Sequence, residues 1–209
     1  LSVDNCVQAV ASREYSRASE WAKEHGIPRA FGSYDDMLRS GEIDAVYNPL
    51  PNSLHAEWTL KALEAGLPVL CEKPLTANAA EAHSIADASS RTGKLVAEAF
   101  MYRYHPVYDA IDRLLEEKAI GDVVAIKSTF TFRLEHRADI RTSAELAGGA
   151  LMDVGCYCVN FSRRIARCEP ARVHAFERRT SVDDTLVGSL EFPGGIVAQF
   201  ECSMESHGR

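Results

Sequence analysis

Val69-Leu70-Cys71-Glu72-Lys73-Pro74 is the stretch on which the reading of the fold turns. Its apolar half has the length of a buried strand, it stops in a charged pair and a proline, and the residues beyond Pro74 read as a helix. In open α/β sheets, ligands bind in the crevice outside the carboxyl ends of the strands. Lys73 is therefore a candidate for chemistry, with a solvated lysine opening a loop as the alternative that position alone leaves open.

The same grammar extends on both sides. Cys6 to Ala11 forms a short apolar run, followed by Ser12-Arg13 and a helix with Ala18, Trp21, Ala22 and His25 on one face and Gly26 as its stop. Phe31 closes a second apolar piece, and Ser33 with Asp36 three residues on predicts a capped turn of helix through Leu38, ended by Gly41. Ala45 to Asn48 is strand-like, and Asn48-Pro49-Leu50-Pro51-Asn52-Ser53 is a turn. Leu54, Trp58, Ala62 and Leu63 then mark a helix that stops at Gly66. Beyond Pro74, Ala82, Ile85, Ala86 and Ser89 give one face of a helix over Asn78 to Thr92, before Gly93 and a strand from Leu95 to Ala99. Strands and helices alternating at this spacing predict right-handed βαβ units and a Rossmann-like parallel sheet.

Near Arg103 the pattern changes. A helix over Pro106 to Lys118 has Ile111, Leu114 and Leu115 as its stripe, and Val124, Ile126, Ser128, Phe130, Phe132 and Leu134 alternate as in a strand with one buried face. A helix around Ala150 to Arg164, a strand over Arg172 to Arg179 and a hairpin follow, its arms Thr185 to Phe192 and Ile196 to Ser203 joined by Pro193-Gly194-Gly195. The expected fold is α/β, with a truncated Rossmann-like parallel-sheet domain over residues 1–102. An α+β domain with an open, mainly antiparallel sheet is expected over 103–209. Clefts between such domains favour small ligands.

Composition narrows the function. The 209 residues are 46% hydrophobic and 25% charged, as in ordinary globular proteins, and a net charge of −7 disfavours nucleic acid. No apolar run reaches membrane-spanning length, and Leu1-Ser2-Val3-Asp4 lacks a signal pattern, so a cytoplasmic protein is expected. Cys6, Cys71, Cys156, Cys158, Cys168 and Cys202 have no zinc-site spacing and read as reduced, mostly buried thiols; no metal set is seen. The missing initiator Met and the stop at Ser206-His207-Gly208-Arg209 predict a fragment of a longer protein.

The glycine fingerprint of a dinucleotide fold is absent, and if Cys6 to Ala11 is the second strand that loop lies upstream. At the tip of that strand an acid binds a ribose 2′-hydroxyl, whereas an arginine accommodates a 2′-phosphate. Ser12-Arg13 therefore favours NADP, with NAD as the alternative, since Glu14 follows directly and a solvated arginine fits the same position. A fragment without the glycine loop is expected to bind dinucleotide poorly. Asp153 and Tyr157 are four apart on the helix after Gly148-Gly149 and so share a face. A neighbouring ammonium lowers a phenol's pKa, and Lys73 is a candidate; a half-buried tyrosine with a structural aspartate is the other reading. His55 and His105 flank turns, where single histidines are usually structural.

Several runs together resemble a known family. Asp44-Ala45-Val46-Tyr47-Asn48-Pro49-Leu50-Pro51-Asn52-Ser53-Leu54-His55, Glu72-Lys73-Pro74-Leu75, Glu98-Ala99-Phe100-Met101-Tyr102-Arg103-Tyr104-His105-Pro106 and Gly148-Gly149-Ala150-Leu151-Met152-Asp153-Val154-Gly155-Cys156-Tyr157 are similar to motifs of the glucose-fructose oxidoreductase, inositol dehydrogenase and rhizopine catabolism (Gfo/Idh/MocA) family. The resemblance implies that Lys73 is the catalytic lysine and that Pro74 shapes its loop. Many members carry Asp-x-x-x-His where this chain has Asp153 and Tyr157, which resembles the branch of NADP-dependent D-xylose dehydrogenase and trans-1,2-dihydrobenzene-1,2-diol dehydrogenase. It implies hydride transfer between a sugar, polyol or cyclic diol and the nicotinamide, with Tyr157 as acid/base, Lys73 assisting and Asp153 orienting. Asn48, Leu50, Pro51, Asn52, His55 and Glu72 match positions around the cofactor, and Arg103 one near its nicotinamide end. A homo-oligomer through the C-terminal sheet is also implied. An NAD-using glycosidase of the same fold and a non-catalytic dinucleotide-binding regulator are the competing readings.

Overall fold

The alternation of short apolar runs with capped helices produces parallel sheet in the first half of the chain. A computed structural model describes residues 5–135 and 139–207. Leu1-Ser2-Val3-Asp4 and Gly208-Arg209, on which expectations about the chain ends rested, lie outside the described residues. The chain divides into two units, Leu1–Leu50 with Leu54–Glu98, and Pro51–Ser53 with Ala99–Arg209.

In the first unit, β1 (Ala9–Ala11), α1 (Tyr15–His25), β2 (Arg29–Phe31), α2 (Tyr34–Arg39) and β3 (Val46–Asn48) lead into α3 (Asn52–Glu64), whose first two residues belong to the second unit. β4 (Val69–Cys71), α4 (Ala79–Thr92) and β5 (Val96–Glu98) complete it. β1 and β2 pair in parallel, and β3, β4 and β5 form a second parallel sheet with β4 in the middle, Val46, Val69 and Val96 in register.

Local chemistry sets these boundaries. The Ser33 hydroxyl accepts from the Asp36 amide at the start of α2. Asn78 accepts from the Glu81 amide while Glu81 reaches back to the Ala77 amide, a reciprocal cap on α4. Gly26 and Gly93 close α1 and α4 in the left-handed region, which costs glycine nothing. Leu38, Ala62, Val69 and Cys71 form one buried cluster and Ala56, Leu63, Ile85 and Ala88 another, with Leu75 and Val96 packed against both. Two expected faces are corrected. Ala18 and Ala22 face inward on α1, but Trp21 is 52% exposed and stacks on the exposed His25 at 4.1 Å, outside the core. On α4 the buried pair is Ile85 and Ala88, while Ala86 is exposed, because the stripe steps by three rather than four at that point.

The second unit opens with a 3₁₀ turn, Met101–Tyr104, and α5 (Pro106–Glu116), started by the His105 ring accepting from the Val107 amide. No residue of α5 is fully buried, and Leu114, expected on its apolar stripe, is 50% exposed. Then come β6 (Ala125–Thr131), a short 3₁₀ turn at Ile140–Thr142, a π-helical turn at Leu151–Gly155 running into α6 (Cys156–Ala166), β7 (Arg172–Arg179), β8 (Asp183–Glu191) and β9 (Val197–Ser203). The sheet order is β6-β9-β8-β7; β7, β8 and β9 are antiparallel, and β6 joins parallel to β9.

Inward residues Leu186 and Leu190 of β8 and Ala198, Phe200 and Cys202 of β9 pack with Val154 and Cys158 into one core. Burying each large apolar side chain there contributes about 1.5–3 kcal/mol. Gly188 has no alternative, since a Cβ would lie 2.4 Å from the Phe200 ring. The alternation predicted for β6 holds at Ile126 but not at Phe130, which is 41% exposed within the strand, nor at Val124, which precedes the strand and is 72% exposed. Among the described residues no helix is long and apolar enough to cross a membrane.

Candidate active site

In the first unit the candidate residues gather at the carboxyl ends of β3 and β4. Asn48 closes β3 and is buried; its amide donates to the His55 carbonyl and to the Thr59 hydroxyl, and its oxygen accepts from the Leu50 amide. Every polar atom of that side chain thus shapes the turn after β3. His55, on α3, is buried with Nδ1 2.8 Å from the Pro74 carbonyl and Nε2 2.6 Å from the Leu50 carbonyl. Its ring ties the loop after β3 to the loop after β4, with both nitrogens already engaged.

β4 delivers Glu72, Lys73 and Pro74. The Glu72 carboxylate bridges two donors, accepting from the Tyr47 hydroxyl at 2.7 Å and from the Lys73 amide at 3.2 Å. Its own amide donates to the Asn48 carbonyl. Partial desolvation of the hydroxyl of this otherwise exposed tyrosine, aided by the Glu72 carboxylate, pushes it up to about 12, so it stays a donor. The Leu75 amide donates to Glu98 at 2.8 Å. The half-buried Lys73 therefore starts from a backbone held on both sides at the ligand edge of the central strand. Ser12 and Arg13 follow β1: the Ser12 amide donates to the Phe31 carbonyl, and Arg13 is exposed and makes no ion pair among the described residues.

In the second unit, Tyr157 sits on the first turn of α6 among aromatic rings. Phe100 lies 5.2 Å, Phe130 5.4 Å and Tyr102 5.9 Å from its ring centre, and its hydroxyl donates to the Met101 sulfur at 3.4 Å. The Tyr102 hydroxyl in turn donates to Asn160 at 2.5 Å. Asp153 belongs to the π-helical turn and ion-pairs with Arg141, Nε to Oδ2 at 3.2 Å. The expected continuous α-helix over Ala150 to Arg164 is corrected: the Cys156 amide bonds to Leu151 five residues back, so Asp153 and Tyr157 are not one regular α-helical turn apart. Asn52 donates to the Ala147 carbonyl at 2.9 Å, and Pro51 precedes it. Arg103 is exposed.

Sequence reading missed Asp183, Arg141 and Tyr47. Asp183 opens β8 and accepts from the Leu151 amide at 2.7 Å; burial raises its pKa above the ordinary carboxylate value. An aspartate at a strand start carries no local signal of such a role. Tyr47 stood inside a quoted motif, but period-2 alternation says only that it leaves the core.

Comparison with known proteins extends over both units. Residues 4–100 match the oxidoreductase family with an NAD-binding Rossmann fold, and residues 108–209 match the GFO/IDH/MocA C-terminal domain. The chain is 46% identical over 202 residues to D-xylose 1-dehydrogenase (NADP(+)) 2 of Haloferax volcanii, covering 95% of this chain and 62% of that protein. It is 36% identical over 196 residues to trans-1,2-dihydrobenzene-1,2-diol dehydrogenase of Xenopus tropicalis, covering 92% of this chain and 59% of that one. Among solved structures, a 3-ketoreductase from Actinomadura kijaniata in complex with NADP and TDP-benzene superposes with a TM-score of 0.88 at 33% identity, over 96% of this chain and 62% of its own. The chain thus spans about three fifths of the length of these relatives.

Proposed function

Because the chain belongs to the Gfo/Idh/MocA family of oxidoreductases, we propose that it works as an NADP-dependent dehydrogenase acting on a hydroxyl-bearing carbon of a sugar, polyol or cyclic diol. The observation that supports this reading best is Lys73, placed at the carboxyl end of the central strand of a parallel sheet with its amide on Glu72 and the following carbonyl on His55. When bound, the nicotinamide supplies the hydride acceptor or donor.

The chain's own residues do the rest. Arg13, exposed and without a carboxylate partner among the described residues, fits a 2′-phosphate, with Ser12 beside it. Leu50, Pro51 and Asn52 come just after β3 in the chain, and the family motifs assign them to the cofactor, with Arg103 at its nicotinamide end. Tyr157 takes the hydroxyl proton during oxidation and returns it during reduction. Lys73 is the cation that favours its phenolate, a pairing drawn from the sequence motifs. Asp153, ion-paired with Arg141, orients substrate or tyrosine. Exposed Phe176 and Val187, paired across β7 and β8 on one face, support assembly of like chains through this sheet.

The test is NADP reduction by the complete gene product over a panel of aldoses, polyols and dihydrodiols. Turnover is expected with at least one class, and Tyr157→Phe or Lys73→Ala should lower kcat by about 10²–10⁴-fold. Near-normal turnover in either variant overturns the assignment of that residue.

A further inference from the structure

Asp183 lies outside every motif quoted for the family resemblance, yet it touches the segment that carries Asp153 and Tyr157. It is 8% exposed, and a carboxylate so far from water is costly unless it is matched by donors. One donor is the Leu151 amide, which the start of a helical segment leaves without an intrahelical partner. A helix start also favours a negative group.

The adjoining glycines supply the second observation. Gly149 has φ +123°, and a Cβ on it would lie 2.0 Å from Asp183 Oδ1 and 3.0 Å from its Cγ. The carboxylate occupies the place a side chain would take, so the two residues are matched in shape. On the other side, a Cβ on Gly148 would lie 2.3 Å from the Arg141 carbonyl oxygen, which also accepts from the Gly149 amide at 2.8 Å. Arg141 then reaches Asp153 with its guanidinium. The glycine pair is thus wedged between Asp183 and the backbone of Arg141, and the next residues form the π-helical turn. Single π-turns inside helices are rare and recur at functional sites.

We propose that Asp183 is a positioning residue, setting the Leu151–Gly155 turn, and through it Asp153 and Tyr157, by its hydrogen bond to the Leu151 amide and its close contact with Gly149. This rests on the reading of Tyr157 and Asp153 as the acid/base pair. Asp183 itself touches neither; it fixes where their turn begins.

The experiment compares Asp183→Ala and Asp183→Asn in the complete gene product, with Tyr157→Phe alongside. Circular dichroism confirms folding, and amide hydrogen exchange follows residues 151–155. Asp183→Ala removes the acceptor and should lower kcat at least tenfold with substrate KM changed less than threefold, since a displacement near 1 Å costs up to about 10²-fold. Exchange over 151–155 should quicken. Asp183→Asn keeps an acceptor oxygen and should recover kcat to within threefold.

Parent-like kcat in folded Asp183→Ala overturns the proposal, as does equal loss in both variants or collapse of both folds. If Tyr157→Phe retains turnover, the catalytic reading fails and the exchange rates decide whether Asp183 holds the turn. If Tyr157→Phe is inactive while Asp183→Ala is parent-like, only the positioning role fails.

Discussion

His55 shows how much one side chain can settle. Its ring links the Leu50 and Pro74 carbonyls, and through them the two loops that follow β3 and β4. Family resemblance placed it near a cofactor; the geometry directs both nitrogens inward to main-chain oxygens. His55→Leu keeps the bulk but removes the ring N–H, and a buried carbonyl left without its donor costs about 1–3 kcal/mol. We expect the unfolding free energy in urea to fall by about 1–3 kcal/mol, and an unchanged midpoint would refute the tie. Residue type and spacing made His55 conspicuous, but the direction of a ring is decided by tertiary packing that no local pattern encodes. The position of Lys73 just past a strand end was legible because strand ends are local events, whereas the bridge from Tyr47 through Glu72 to its amide joins residues brought side by side only when β3 pairs with β4.

Among elements, those with their own punctuation were read correctly. The ends of α1 and α4 follow from Gly26 and Gly93, and the start of α4 from Asn78, because caps and left-handed glycines act within one turn. Asn78→Ala removes the acceptor for the Glu81 amide and should cost about 1 kcal/mol, measured as a lower urea midpoint with an unchanged slope. An effect no larger than that of an exposed Ser→Ala change on the same helix, such as Ser90→Ala, would show that the cap contributes nothing. The π-helical turn was not legible. Its five-residue hydrogen bond replaces the four-residue one where Gly149 must fit Asp183, and where a Cβ on Gly155 would lie 2.7 Å from the Cys202 sulfur. Both constraints come from β8 and β9, more than one element away in sequence.

For the whole molecule, the change of grammar near Arg103 separates parallel sheet from the mainly antiparallel kind. The thiols also follow the chain's globular composition: Cys71, Cys158 and Cys202 are buried, Cys156 and Cys168 half-buried and Cys6 exposed. Burial pushes Cys71 up to about 11 and Cys202 up to about 12, which leaves them weak nucleophiles. The parallel partnership of β6 with β9 was not legible, since alternation reveals a strand and its buried face but not its neighbour or direction. It also sets a tempo. β8 and β9 meet across a tight turn, whereas Ala125 finds Val197 only after the intervening chain has been brought round. Closing that longer span costs more chain entropy, so we expect the three antiparallel strands to assemble first and β6 to be added to a finished edge. Ile126→Val, at the heart of that late contact, should then speed unfolding several-fold while leaving the refolding rate nearly unaltered. A matching drop in the refolding rate, read from the two arms of a chevron plot, would mean that this edge belongs to the folding nucleus.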